Sequence, residues 1–335
     1  MHGRAARFVR RITPGLLALA LCAAGDADAQ TRTRHFPHPP PVVDAPARPQ
    51  IDLVFVLDGT GSMGDEIGPV RDQIWSIANR IASGNPRPAL RVGLVVYRDR
   101  NDREHTRMLP LTRDLDEVHA ELMRTDAYGG GDYPEDVYAG LSLALHEMDW
   151  APRAARMVFL VGDAPPQEYG DHDGEGLVRY ARTHQIEVST IECSGMSAMG
   201  SALWSSIATR TNGLAEVLTY AQDQQMADGS SRTILRRGRD TYVSTRALSA
   251  EERAQDARTL ASRGVVRAAR GDELAGAGTD EGMALGGLGS SRGGGGRGRA
   301  VAAAPARPMA APTNNIDSVI ARRVRSRATS MGVAY

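Results

Sequence analysis

The chain has 335 residues, 41% of them apolar, which fits one large or two small cored domains and excludes a chain too polar to fold. All 40 basic residues are Arg, so a Gly-x4-Gly-Lys phosphate loop is excluded. The formal net charge is zero, but residues 51–225 hold 15 Arg against 27 Asp and Glu (net −12), while residues 226–335 hold 18 Arg against 10 acids (net +8).

Residues 1–29 read as an export signal. Arg4, Arg7, Arg10 and Arg11 form a positive start, Leu16 to Ala24 is a short apolar run, and Ala27-Asp28-Ala29 is a small-x-small pattern that cuts before Gln30. The run falls short of the ~20 residues a spanning helix needs. Leu21 stands before Cys22 where a lipoprotein would carry a small residue. No later stretch is apolar enough to span, so the expected location is periplasmic or secreted, with no transmembrane segment after cleavage. Cleavage leaves Cys193 as a lone thiol, buried and inert. Residues 30–50, with six Pro, read as an extended linker.

From Ile51 the pattern changes. Leu53-Val54-Phe55-Val56-Leu57 is a continuous apolar run, as a central parallel strand requires. Ile67, Val70, Ile74, Ile77 and Ile81 then recur at helical spacing. Val92 to Tyr97 is a second strand, Met108 to Leu111 a short edge strand, and Leu115, Val118 and Leu122 mark a helix. Another helix follows, with Pro134 in its first turn and Val137, Leu141, Leu145 and Met148 on one face. Met157 to Val161 is a third buried strand, Leu177 to Thr183 a helix, Ile186 to Ile191 a fourth strand and Ala202 to Arg210 a helix. Ala215 to Leu218 reads as a last strand before a closing helix. Strands alternating with helices over residues 51–225 predict a doubly wound α/β domain, a mostly parallel sheet with helices on both faces. Beyond it, residues 226–335 read as a basic extension. Leu248 to Gly264 is one helix, opening on Ser249-Ala250-Glu251-Glu252. Residues 271–315, rich in Gly and Ala, read as disordered. Residues 316–329 form a short amphipathic helix without an evident docking site.

Ligands bind such sheets at the carboxyl ends of strands. Three polar segments fall there: Asp58-Gly59-Thr60-Gly61-Ser62 after the first strand, Gly129-Gly130-Gly131-Asp132-Tyr133-Pro134-Glu135-Asp136 before a helix, and Gly162-Asp163 after the third strand. Carboxylates and hydroxyls are the oxygen ligands of Mg²⁺ or Ca²⁺. The absence of His and Cys from these segments argues against a softer metal. Alternation at Asp58, Thr60 and Ser62 lets one tight turn aim three side chains at a point. Glu135 and Asp136 serve equally as acids at a helix N-terminus or as further donors.

These residues resemble the von Willebrand factor type A domain of the exported bacterial kind. Asp58, Thr60 and Ser62 match its Asp-x-Thr/Ser-x-Ser loop and Asp163 its last acidic ligand. The resemblance implies a metal-ion-dependent adhesion site, in which hydroxyls touch the ion, acids often act through water, and a partner's carboxylate completes the shell. The family usually places a Thr on the second loop after a Gly-Gly pair; here Asp132 stands there. The implied ligands are Asp58, Thr60, Ser62, Asp132 and Asp163, with Glu135 as a further ligand or an outer support.

Enzymatic readings lack their parts. Position 56, where a phosphatase of the Asp-x-Asp-Gly-Thr type needs its nucleophile, is Val56. Ser62 is not in a Gly-x-Ser-x-Gly setting. The expectation is therefore a non-enzymatic, exported binding protein whose divalent cation recruits a protein partner. A metal-dependent hydrolase and a structural envelope component are the alternatives. The Arg-rich tail suits an anionic surface or the acidic domain itself, rather than nucleic acid.

Overall fold

The computed structural model describes residues 50–85, 87–131, 133–225, 229–270, 307–308 and 313–330. The expected export signal and most of the linker lie outside them.

The apolar run is the centre of the molecule. β1 (Gln50–Asp58) pairs in parallel with β2 (Ala89–Tyr97) on one side and β4 (Ala155–Gly162) on the other. Between these strands lie α1 (Ile67–Ala82), β3 (Thr106–Thr112), α2 (Leu115–Met123) and α3 (Val137–His146). α4 (Gly174–Thr183), β5 (Ile186–Glu192), α5 (Ala198–Arg210) and β6 (Ala215–Val217) complete a sheet of order β3-β2-β1-β4-β5-β6, with β3 alone antiparallel.

Successive side chains of β1 point to opposite faces. Leu53, Phe55 and Leu57 pack with Val70, Ile74 and Ile77 of α1 and Val118 of α2. Val54 and Val56 pack with Leu141 and Leu145 of α3, Val178 of α4 and Trp204 of α5. A strand covered on both faces gains from every residue, and this is why it reads as a run rather than an alternation. The α/β architecture is as the sequence predicts.

The chain departs from expectation after Leu218. No closing helix follows. The chain enters β7 (Thr219–Gln225), β8 (Ser231–Arg237) and β9 (Asp240–Ser244), which start a second, antiparallel sheet. Gly238 explains the β8–β9 hairpin: it opens a two-residue turn at φ 55°, a conformation such turns favour and Gly adopts without steric cost. The single helix expected over Leu248–Gly264 is two, α6 (Ala250–Arg253) and α7 (Ala257–Ser262). Ser249 and Glu252 form a reciprocal capping box on α6, and Asp256 stops that turn by capping α7 through the amides of Arg258 and Thr259. β10 (Val266–Ala268) pairs with β9.

Of the segment expected to be disordered, residues 271–306 and 309–312 lie outside the described residues. β11 (Arg307–Pro308) and β12 (Thr313–Asn314) are strands on the edge of β7. α8 (Ile316–Ser330) then supplies the missing closing helix. Ile316, Val319, Ile320 and Val324 are buried in the same apolar cluster as α1, β1 and Leu218. Its basic face meets acids of the first sheet: Arg322 donates to Glu216 at 2.6 Å, and Arg323 to the buried Glu187 at 2.5 Å. No helix among the described residues is long and apolar enough to cross a membrane.

Candidate cation site at the sheet edge

β1 ends at Asp58, opposite Tyr97 of β2, and the last β1–β4 pair is Leu57 with Val161. Parallel pairing therefore brings Asp58 and Asp163 to one edge. Asp58 is fully buried. Its Oδ1 accepts from Thr60 N at 2.9 Å and from Thr60 Oγ1 at 2.6 Å, and its Oδ2 from the Tyr97 hydroxyl at 3.2 Å. Thr60 Oγ1 lies 3.1 Å from Ser62 Oγ, and Ser62 Oγ donates to Asp163 Oδ1 at 3.0 Å. Asp58, Thr60, Ser62 and Asp163 thus form one continuous string of oxygen atoms.

The first two loops are held in register by main-chain bonds. Gly61 N donates to Gly129 O at 3.0 Å, and Tyr128 N to Gly59 O at 3.0 Å. A Cβ on Gly61 would sit 2.9 Å from Gly129 O, so this approach requires glycine. Asp132 lies outside the described residues. Pro134 is in the loop rather than in a helical first turn, because α3 begins at Val137. Asp136 is its N-cap, accepting from Ala139 N, and also bonds His105 Nε2 at 2.9 Å.

Glu135 is only 4% exposed. Its main chain ties the second loop to the third: Glu135 N donates to Pro165 O at 3.1 Å, and Gln167 N to Glu135 O at 2.7 Å.

A fourth segment, at the end of β2, has no counterpart among the motifs read from the sequence. Asp102 Oδ2 accepts from Gly130 N at 2.8 Å and from Asp99 N at 3.1 Å, and Asp99 accepts from the Tyr169 hydroxyl. Arg98 is fully buried, and donates to Gly59 O and Asp126 O at 2.9 Å each and to the Glu104 carboxylate at 3.0 Å. Its guanidinium lies 3.9 Å from the centre of the Tyr128 ring. An Arg next to a buried strand end was the available signal. Glu66, just before α1, accepts from Ser194 N at 3.1 Å and from the Tyr220 hydroxyl at 2.8 Å, joining the first loop to β5 and β7.

The electrostatics are those of crowded anions. Burial pushes Asp58 up, opposed by its bonds from Thr60 and Tyr97. Burial, then Asp58, raises Asp163 to about 7. Burial, then Asp58, Asp99, Asp163 and Asp102, raises Glu135 to about 8. Asp58, Glu135 and Asp163 form no ion pair among the described residues. Buried carboxylates without a counter-charge are costly, and a hard cation removes that cost. Among the described residues no three His, Cys, Asp or Glu side chains form a metal cage by themselves. The donors that fit an ion are mixed, two carboxylates with the hydroxyls of Thr60 and Ser62, as Mg²⁺ and Ca²⁺ accept when water fills the remaining positions.

A family model described as von Willebrand factor A domain matches residues 52–231. Alpha-protein kinase vwkA of Dictyostelium discoideum is 30% identical over 118 residues, covering 34% of this chain and 18% of that protein. Hemicentin-2 of Mus musculus is 26% identical over 210 residues, covering 61% of this chain and 4% of that protein. Von Willebrand factor A domain-containing protein 7 of Rattus norvegicus is 34% identical over 122 residues, covering 36% of this chain and 12% of that protein. The chain spans less than a fifth of the length of each of these relatives. Among solved structures, proximal thread matrix protein 1 from the mussel byssus, with a zinc-occupied MIDAS motif, aligns at a TM-score of 0.42 and 15% identity, covering 50% of this chain and 41% of that chain.

Proposed function

The chain belongs to the von Willebrand factor A domain family, and from that membership we propose that it is an exported binding protein that recruits a protein partner through a divalent cation, Mg²⁺ or Ca²⁺. The observation that carries this reading is the oxygen string Asp58–Thr60–Ser62–Asp163, which joins two strand ends distant in sequence. Thr60 and Ser62 would hold the ion by their hydroxyls. Asp58 and Asp163 would orient those hydroxyls and balance the charge, and Asp132 would add the second loop's oxygen. The bound ion supplies a coordination position for an oxygen of the partner.

Affinity capture with the full chain as bait, in Mg²⁺ or Ca²⁺ and in chelator, tests this reading. The expected result is a partner retained with the ion and released by chelator, and lost with Asp58→Asn. Equal recovery in all arms would overturn cation-dependent recruitment.

A further inference from the structure

The described part of the second loop carries one side chain whose placement the string of oxygens does not explain. Glu135 is pinned by its own main chain between Pro165 and Gln167. Its carboxylate faces the first loop: a Cβ built on Gly130 would lie 2.8 Å from Glu135 Oε1 and 3.1 Å from Thr60 Cβ, so the carboxylate and Thr60 border the same small space. Glu135 is 4% exposed, and its Oε2 is buried with no hydrogen-bond partner among the described residues. A glutamate used only to shape a loop would be expected to satisfy both oxygens. Gly130, at φ 65°, leaves the room it occupies, and Asp102 fixes Gly130 by accepting from its amide. Among the described residues, the surroundings supply further carboxylates and no ion pair to Glu135.

We propose that Glu135 is a further carboxylate of the cation site, joining it from the second loop by accepting hydrogen bonds from the ion's coordinated water. This rests on the cation reading above and deepens it. A divalent ion set among Asp58, Glu135 and Asp163 carries a net negative surrounding charge. The site then holds its ion firmly and disfavours a partner carboxylate as the last ligand. The partner chemistry that fits is a neutral oxygen, a hydroxyl or an amide carbonyl.

Calorimetric titration of the full chain with MgCl2 and with CaCl2 tests the assignment, comparing wild type, Glu135→Gln and Asp58→Asn. Glu135→Gln keeps the shape and removes the charge. It is expected to weaken cation binding by roughly 10–100-fold, the usual cost of losing a group that supports metal ligands. Read in chelator at pH 8.5 or above, where Glu135 is ionised, the variant's thermal midpoint should equal or exceed that of wild type, because an unpaired buried charge is gone; a merely structural Glu135 would lower the midpoint and spare the affinity. Affinity within twofold of wild type, with Asp58→Asn abolishing binding, overturns the role of Glu135 and leaves the cation reading standing. No binding by wild type overturns both.

Discussion

Ser62 Oγ donates to Asp163 Oδ1 at 3.0 Å, across 101 positions of sequence. Each residue follows a buried parallel strand, so the bond exists because β1 and β4 are neighbours in register. Ser62→Ala and Asp163→Asn should each weaken Mg²⁺ binding by at least ~10-fold, as losses at a metal site do. Ser62 is exposed, so its variant should keep the unfolding midpoint in chelator. Isothermal titration with circular dichroism melts separates the two effects. Unchanged affinity in both variants would remove these residues from the site.

The site carries a definite pH signature. Glu135 at about 8 and Asp163 at about 7 lie above the ordinary carboxylate values of about 4.3 and 3.9. Between those limits the folded state holds more protons than the unfolded state, so stability falls as pH rises. The contribution is complete below about pH 4 and lost by about pH 8. In chelator the thermal midpoint is expected to drop by several degrees between pH 5.5 and 8.5. Saturating Mg²⁺ or Ca²⁺ should flatten that slope by stabilising the ionised carboxylates. Parallel slopes with and without the ion would show that these acids do not share its site.

How much of this was legible follows from burial. Leu53 to Leu57 announces a central strand because both faces are covered, and Asp58 and Asp163 stand out as acids at the ends of such strands. Arg98 and Asp102 were equally visible as residues but not as partners. Nothing in local spacing says that Asp102 reaches Gly130 N, or that Arg98 reaches Asp126 O. The second sheet was hidden for another reason. Thr219-Tyr220-Ala221-Gln222-Asp223-Gln224-Gln225 is polar and half-buried, and it pairs with β8 and with the short strands Arg307–Pro308 and Thr313–Asn314 brought back from far along the chain. The apolar stripe of α8 was legible, but its position against α1 depends on a chain reversal that no short window contains.

That position has a measurable consequence. Ile320 is fully buried in the cluster of α1 and β1. Ile320→Ala should cost roughly 2–5 kcal/mol, the range for truncating a buried aliphatic side chain, read as a lower urea midpoint at unchanged slope. A chain ending at residue 231, where the family match stops, lacks α8 altogether. It uncovers the apolar surface that Ile316, Val319, Ile320 and Val324 seal, and removes the Arg323 partner of Glu187. It is expected to aggregate or melt far below the full chain. A truncated chain that melts with the full chain would show α8 to be dispensable.

Arg98 ties two loops and the β2–β3 connection together beneath the site. Its three donors reach the first loop at Gly59 O, the second at Asp126 O and the β2–β3 connection at Glu104. Arg98→Ala leaves Asp126 O without that donor and Gly59 O with only the Tyr128 amide, and it opens a void under Tyr128. Arg98 is buried but Glu104 is a third exposed, so the loss is that of charge-assisted hydrogen bonds from a buried donor, roughly 1.5–3 kcal/mol. Lys offers one compact ammonium where the guanidinium presents a planar fork, so Arg98→Lys should recover little of the loss. Because Gly59 and Tyr128 flank the proposed cation loop, both variants should also weaken cation binding, although Arg98 touches none of its oxygens. Urea titrations and calorimetry on the same samples read the two quantities together. If Arg98→Lys keeps the wild-type midpoint and affinity, charge alone matters there and the forked geometry does not; if stability falls while affinity holds, the loops keep their register without Arg98.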